Sequence, residues 1–174
     1  MKLKGLLLAA MLISIAFLAV CASGVNRPDA PPGPYLGRTA PDFILTDINA
    51  KEIALSDFRG KPVLLNFWTT TCFYCIYQTP FLISAYNDYA DDDLVVLGIN
   101  VGDGLARASA FASHYGITFP VLLDTDGHVA RQYYNVSAFP ISFLIDRRGI
   151  IQDIRVGAFQ DSADVSLSLM SIME

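Results

Sequence analysis

Basic charge is scarce in this chain. Its 174 residues hold 12 Lys and Arg against 17 Asp and Glu, with two histidines. Residues 1–22 carry Lys2 and Lys4 and no acid, so the remainder has 10 basic against 17 acidic residues, a net of −7. Nucleic-acid binding needs a basic face, and this balance argues against it. It also argues against electrostatic docking on anionic lipid. Cysteine is scarce too, at three residues. A second Cys-x-x-Cys is missing, and a structural zinc site wants four ligands. Collagen-like periods, sustained heptads and internal repeats are absent. Disorder is excluded by 53% hydrophobic and only 17% charged residues. What is left is a globular chain of one-domain length with short appendages.

One appendage is the start. Lys2 and Lys4 precede Leu6–Ala22, a run without charge. A positive segment ahead of an apolar core is the physical form of an export signal. Three fates are open for residues 1–22: retention as a membrane anchor, cleavage after Ala22, or lipidation at Cys21. Leu18-Ala19-Val20-Cys21 resembles a bacterial lipobox, although Val20 departs from the small residue usual before the cysteine. All three place the rest of the chain outside the cytosol, where disulfides persist. Residues 23–37 include Pro28, Pro31, Pro32 and Pro34 and read as a semi-rigid spacer. Residues 38–174 form the domain.

Within the domain the pattern alternates. Phe43–Thr46 and Glu52–Leu55 are short strands around a polar turn, and residues 56–61 are a loop. Val63–Trp68 and Leu94–Asn100 are continuous apolar runs, the kind buried on both faces of a sheet. Cys75–Tyr89 is helix-like with Pro80 inside it. Leu105–Tyr115 is a helix that Gly116 ends. Phe119–Leu123 is a strand and Val129–Tyr134 a short helix. Ile141–Asp146 and Ile150–Val156 make a hairpin, and Asp161–Met173 is a last helix. The fold class is therefore α/β. A mixed, mainly parallel central sheet is flanked by helices, with an antiparallel edge from the closing hairpin.

Cys72-Phe73-Tyr74-Cys75 carries the chemistry. Cysteines at i and i+3 share a helix face and come within reach of a disulfide. The pair sits where a buried strand hands over to a helix. There Cys72 meets free backbone N–H groups and the positive end of the helix dipole, which favour its thiolate. Cys72 is therefore the expected nucleophile, and Cys75, one turn further in, the resolving thiol. Phe73 and Tyr74 restrict access. A static structural disulfide is the bland alternative, but a bridge across three residues staples little chain. Asp91-Asp92-Asp93 reads as a solvated loop. Asn135-Val136-Ser137 matches a glycosylation sequon of little weight behind a bacterial-type leader. His114 and His128 read as surface or hydrogen-bonded residues.

The run Leu55-Ser56-Asp57-Phe58-Arg59-Gly60-Lys61-Pro62 followed by Val63–Trp68 and the Cys72–Cys75 motif resembles the TlpA/ResA/CcmG group of bacterial thioredoxin-like thiol–disulfide oxidoreductases, members of the redoxin family. Phe119-Pro120-Val121, Tyr134-Asn135-Val136 and Phe139–Asp146 follow the same group in the same order. The resemblance implies a thioredoxin-like fold with an N-terminal β-hairpin and a central insertion. It implies a protein-disulfide reductase or exchange enzyme, working through a mixed disulfide on the outer side of the bacterial cytoplasmic membrane. The implied partners are a disulfide-bearing envelope protein as substrate and a membrane dithiol as electron donor. Cytochrome c apoprotein is one candidate substrate. Tethering by the N-terminus and a monomeric state complete that expectation, with no organic cofactor and no metal.

By the same resemblance Pro140 is a cis-proline facing the pair, and the backbone of Phe139 receives a substrate strand. Trp68 is either core or substrate contact. The group commonly has Trp where this chain has Thr71, Pro where it has Tyr74 and Glu where it has Gln78. Asn66 stands where thioredoxin itself keeps a buried acid. Neither Gln78 nor Asn66 titrates, so the base for Cys75 stays open. Two further readings are weighed. Thr69, three residues before Cys72, resembles the peroxiredoxin arrangement, although Leu65 replaces that family's proline. A copper(I) metallochaperone would also use two thiolates, but that group spaces its cysteines by three residues and adds a nearby histidine.

Overall fold

The computed structural model describes residues 31–173. The readings on residues 1–22, the lipidation of Cys21 included, and on the first part of the spacer lie outside the described residues. Among those described, no helix is long and apolar enough to cross a membrane.

The chain opens with an antiparallel pair, β1 (Ile44–Thr46) and β2 (Glu52–Ala54). Asp47 shapes their turn by accepting the backbone N–H groups of Asn49 and Lys51, each at 2.8 Å. The expected loop after β2 begins as a 3-10 turn over Leu55–Phe58, where the Asp57 carboxylate accepts the Ala54 N–H. A five-stranded sheet follows, built from β3 (Val63–Trp68), β4 (Val95–Val101), β5 (Val121–Asp124), β6 (Ile141–Ile145) and β7 (Ile151–Val156) in the order β5-β4-β3-β6-β7. Three helices accompany it: α1 (Phe73–Asp88), α2 (Leu105–Tyr115) and α3 (Ser162–Leu169). This is a thioredoxin-like arrangement in which α2 and β5 form the central insertion.

The pairs β3–β4 and β4–β5 are parallel, whereas β3–β6 and β6–β7 are antiparallel. The antiparallel share is thus larger than an edge and reaches the central strand. The connection after β5 carries one π-helical turn over Val129–Tyr133, and the chain re-enters the sheet from the far end. Asp124 starts that turn by accepting the N–H groups of Val129 and Ala130 at 3.2 and 2.8 Å. Gly116 ends α2 with φ 66°, as its position predicts. The last helix ends at Leu169, earlier than expected, in turns closed by Ser168 and Leu169 carbonyls.

Alternation along the strands divides the core between the two faces of the sheet. One side gathers Phe43, Leu65, Phe67, Ile99, Tyr134 and Phe143. Phe67 and Phe143 both pack on the Tyr134 ring, with centroids 5.1 and 4.9 Å away. Tyr134 donates its hydroxyl to the Pro41 carbonyl at 2.7 Å, and burial pushes its phenol well above the usual tyrosine range. The other side holds Leu64, Trp68, Cys75, Leu82, Phe111 and Val165 under α1, α2 and α3. Residues 33–37 of the expected semi-rigid spacer bond to the domain. The Gly33 N–H bonds the Thr39 carbonyl, and the Gly37 N–H bonds that of Ile151 at 2.8 Å.

Candidate active site

β3 delivers the chain to the site. Its last residue, Trp68, is followed by Thr69–Thr71 and then Cys72, the N-cap of α1. Helix α1 therefore starts at Phe73, two residues ahead of the expectation. Cys72 has extended backbone angles, and its Sγ accepts the Cys75 N–H at 3.1 Å. A cysteine sulfur thus occupies the place that a Ser or Asp oxygen usually fills at a helix start. Cys72 and Cys75 are joined as a disulfide with Cα atoms 5.2 Å apart. Cys72 is half-buried, while Cys75 is only 1% exposed. An incoming nucleophile or substrate therefore reaches Cys72 first.

The Phe139–Pro140 peptide bond is cis. The Phe139 carbonyl oxygen lies 3.7 Å from Cys72 Sγ, so the loop before β6 faces the disulfide directly. Phe139 itself is half-buried between the two cores. Phe73 and Tyr74 point outward, 73% and 61% exposed, with their rings edge to face at 5.5 Å. Trp68 does not join them. It is buried and packs on Phe111 at 4.6 Å between centroids, the surroundings that its core alternative expects. The strand period is the cause: Trp68 shares a face with Leu64, beneath the helices.

Beneath the disulfide runs a chain of buried amides. Asn66 lies opposite Ser142 in the β3–β6 register and donates to the Ser142 Oγ at 2.9 Å. Gln78 donates to the Asn66 Oδ1 at 3.2 Å and accepts the Phe159 N–H at 3.3 Å. Asn66, Gln78 and Ser142 are all essentially buried, and none of them titrates. The sequence placed Gln78 and Asn66 near the pair; their direct bond depends on the packing of α1 on β3.

Asp103, just after β4, was not among the residues singled out. Its carboxylate is 4% exposed yet accepts from four donors. Oδ2 takes the Thr69 hydroxyl at 3.1 Å, the Thr70 N–H at 2.9 Å and the Asn100 amide at 3.0 Å. Oδ1 takes Arg107 at 3.2 Å. Burial alone would raise its pKa, but these hydrogen bonds outweigh it and hold the carboxyl below the usual range. An acid directly after a buried strand, beside two glycines, was the available signal. The Thr69 hydroxyl spends its one donor on Asp103. His128 lies against Tyr133, and among the described residues no group of three His, Cys, Asp or Glu side chains could hold a metal.

A cysteine pair bridged at a helix N-terminus, opposite a cis-proline loop on a thioredoxin-like sheet, defines a class: proteins that make, break or exchange disulfides. Residues 36–154 match the AhpC/TSA family. The thiol-disulfide oxidoreductase ResA of Geobacillus kaustophilus is 39% identical over 137 residues, covering 79% of this chain and 78% of that protein. ResA of Bacillus subtilis is 38% identical over 126 residues, with 72% and 70% covered. A crystal structure from Chlorobium tepidum, proposed to be a thiol:disulfide interchange protein DsbE, superposes with a TM-score of 0.71 at 28% identity, covering 78% of this chain and 96% of that one. The chain belongs to the AhpC/TSA family of redoxins, and it is a thioredoxin-like thiol–disulfide oxidoreductase. Proteins with disulfides are its class of substrate.

Proposed function

We propose that the protein reduces or exchanges disulfides of envelope proteins on the outer side of the membrane, with Cys72 as nucleophile and Cys75 as resolving thiol. The observation that carries the assignment is the asymmetry of the pair: Cys72 caps α1 and is accessible, whereas Cys75 is buried. In the reduced protein the Cys72 thiolate attacks one sulfur of the substrate disulfide. A mixed disulfide forms, and the other substrate sulfur leaves as a thiolate that water protonates. Cys75 then loses its proton and attacks Cys72 Sγ. The second substrate thiol is released, and the Cys72–Cys75 disulfide closes. Two electrons have passed to the substrate, and a membrane dithiol restores them. The Phe139 backbone, next to Cys72, receives an extended substrate segment, with Phe73 and Tyr74 as apolar walls. The apolar run in residues 1–22, preceded by Lys2 and Lys4, supports export and tethering of the domain. The test is trapping. Cys75→Ser should accumulate a mixed disulfide through Cys72, and Cys72→Ser should accumulate little; the reverse pattern removes the assignment.

A further inference from the structure

Residues 69–71, which join β3 to Cys72, are neither strand nor helix, yet they must hold the attacking sulfur in place. Four donors from three segments converge on Asp103: Thr69 and Thr70 from the loop, Asn100 from the end of β4 and Arg107 from α2. Asn100 is fully buried, and its Oδ1 has no partner among the described residues. Leaving a buried acceptor unpaired costs free energy. The Asn100 amide is thus turned toward the carboxylate at the expense of its own oxygen. The network is organised around Asp103, and its loop end lies two residues from Cys72.

We propose that Asp103 is a positioning residue of the redox centre: its buried carboxylate pins Thr69 and Thr70 to the end of β4 and thereby holds Cys72 over Cys75. Two consequences share one sign. A pinned loop removes much of the entropy that closing the Cys72–Cys75 ring would otherwise cost, which favours the disulfide. The carboxylate, bonded to the Thr70 N–H at 2.9 Å, is also a negative charge within about 15 Å of the Cys72 sulfur by chain reach. It disfavours the Cys72 thiolate and so the reduced form. Arg107, itself largely exposed, is the facing cation and offsets part of that charge. Removing Asp103 therefore shifts the pair toward the dithiol.

The proposal rests on the redox reading of the pair, and one titration separates the two. The full chain is equilibrated with dithiothreitol in its reduced and oxidised forms. Two electrons and two protons pass from the probe dithiol to the protein disulfide, and the fraction oxidised is read by alkylation. In Asp103→Ala the equilibrium constant for disulfide formation should fall about tenfold, equivalent to a rise of about 30 mV. Thr69→Val keeps the shape and the carboxylate but removes one donor, and it should fall about threefold. Urea unfolding of the reduced forms, run alongside, registers any purely structural loss, which would leave the equilibrium with the probe unmoved. The proposal is overturned if Asp103→Ala stays within threefold of the native constant, or, where that variant does not fold, if Thr69→Val equals the native protein. A native pair that does not exchange with dithiothreitol at all would overturn the redox reading and this proposal with it.

Discussion

At the residue scale the site is decided by what replaces a carboxylate. Gln78 sits one turn beyond Cys75 and bonds Asn66 and the Phe159 N–H, so an amide stands where a carboxylate would titrate. An amide orients but takes up no proton, and Cys75 must lose one before it attacks. Release of reduced substrate should then be slow near pH 7 and speed up with pH. Gln78→Glu should accelerate that step about ten- to a hundredfold near neutrality if the carboxylate acts as a general base. It should also cost about 1–3 kcal/mol of stability, because the ionised Glu leaves the Asn66 Oδ1 without its donor. Stopped-flow resolution of the mixed disulfide against pH decides; a native rate already fast and flat from pH 6 to 9 places the base elsewhere. Phe139 gives a second outcome. Its carbonyl lies 3.7 Å from Cys72 Sγ, and on the proposed reading its half-buried ring borders a bound substrate. Phe139→Thr should broaden reactivity toward generic disulfides such as insulin, and unchanged selectivity would remove the ring from the site. Cys72 and Cys75 were legible in the sequence because motif spacing is local, whereas the cis bond at Pro140 was expected only from the family resemblance. Asp103 was not, because its partners Thr69 and Thr70 lie more than thirty positions away and meet it only when β3 and β4 pair.

At the element scale the buried parallel strands were the most legible feature, and strand direction was the least. Val63–Trp68 reads as a strand buried on both faces, and all six of its residues are buried. That β6 runs against β3 depends on which end of the sheet the Tyr134–Pro140 connection enters, and no period in the sequence encodes this. The same is true of Trp68, whose face follows from the register of β3 and not from its residue type. Gly98 in β4 makes room for it. A Cβ there would meet the Phe119 ring at 2.9 Å and the Trp68 Nε1 at 3.1 Å. Both rings are buried, so neither swings clear at little cost. Gly98→Ala should lower stability by about 1–3 kcal/mol through overpacking. An unchanged urea midpoint would show that the two rings repack around the added methyl.

At the scale of the whole molecule, the acidic excess and three hydrogen-bonded acids pull acid stability in opposite directions. Exposed acids such as Asp91, Asp92 and Asp93 repel one another at neutral pH, and salt screens that repulsion. Asp103, Asp146 and Asp164 behave otherwise: burial would raise each, yet hydrogen bonds from backbone and side chains hold each below the ordinary carboxylate value. A lowered folded-state pKa means that the unfolded chain binds more protons through this window, so stability rises with pH across it. The contribution is complete above the unfolded value of about 4 and is lost as pH falls through the lowered folded values. Asp146 is the clearest carrier. It closes the β6–β7 hairpin by accepting the N–H groups of Arg148 and Ile150, each at 2.9 Å, together with the Arg148 guanidinium at 2.7 Å and the Gln152 amide at 2.9 Å. Asp146→Asn keeps the shape, removes the charge and cannot accept from all of these donors. It should cost about 1–3 kcal/mol at pH 7. Because the native carboxylate is itself protonated in strong acid, the gap between variant and native protein should narrow steadily below pH 4. Urea midpoints of both proteins from pH 7 to pH 2.5, at fixed ionic strength, measure that gap. A gap of constant size across the range would mean that the Asp146 network acts through shape alone, and that the acid limb of this protein belongs to Asp103 and Asp164.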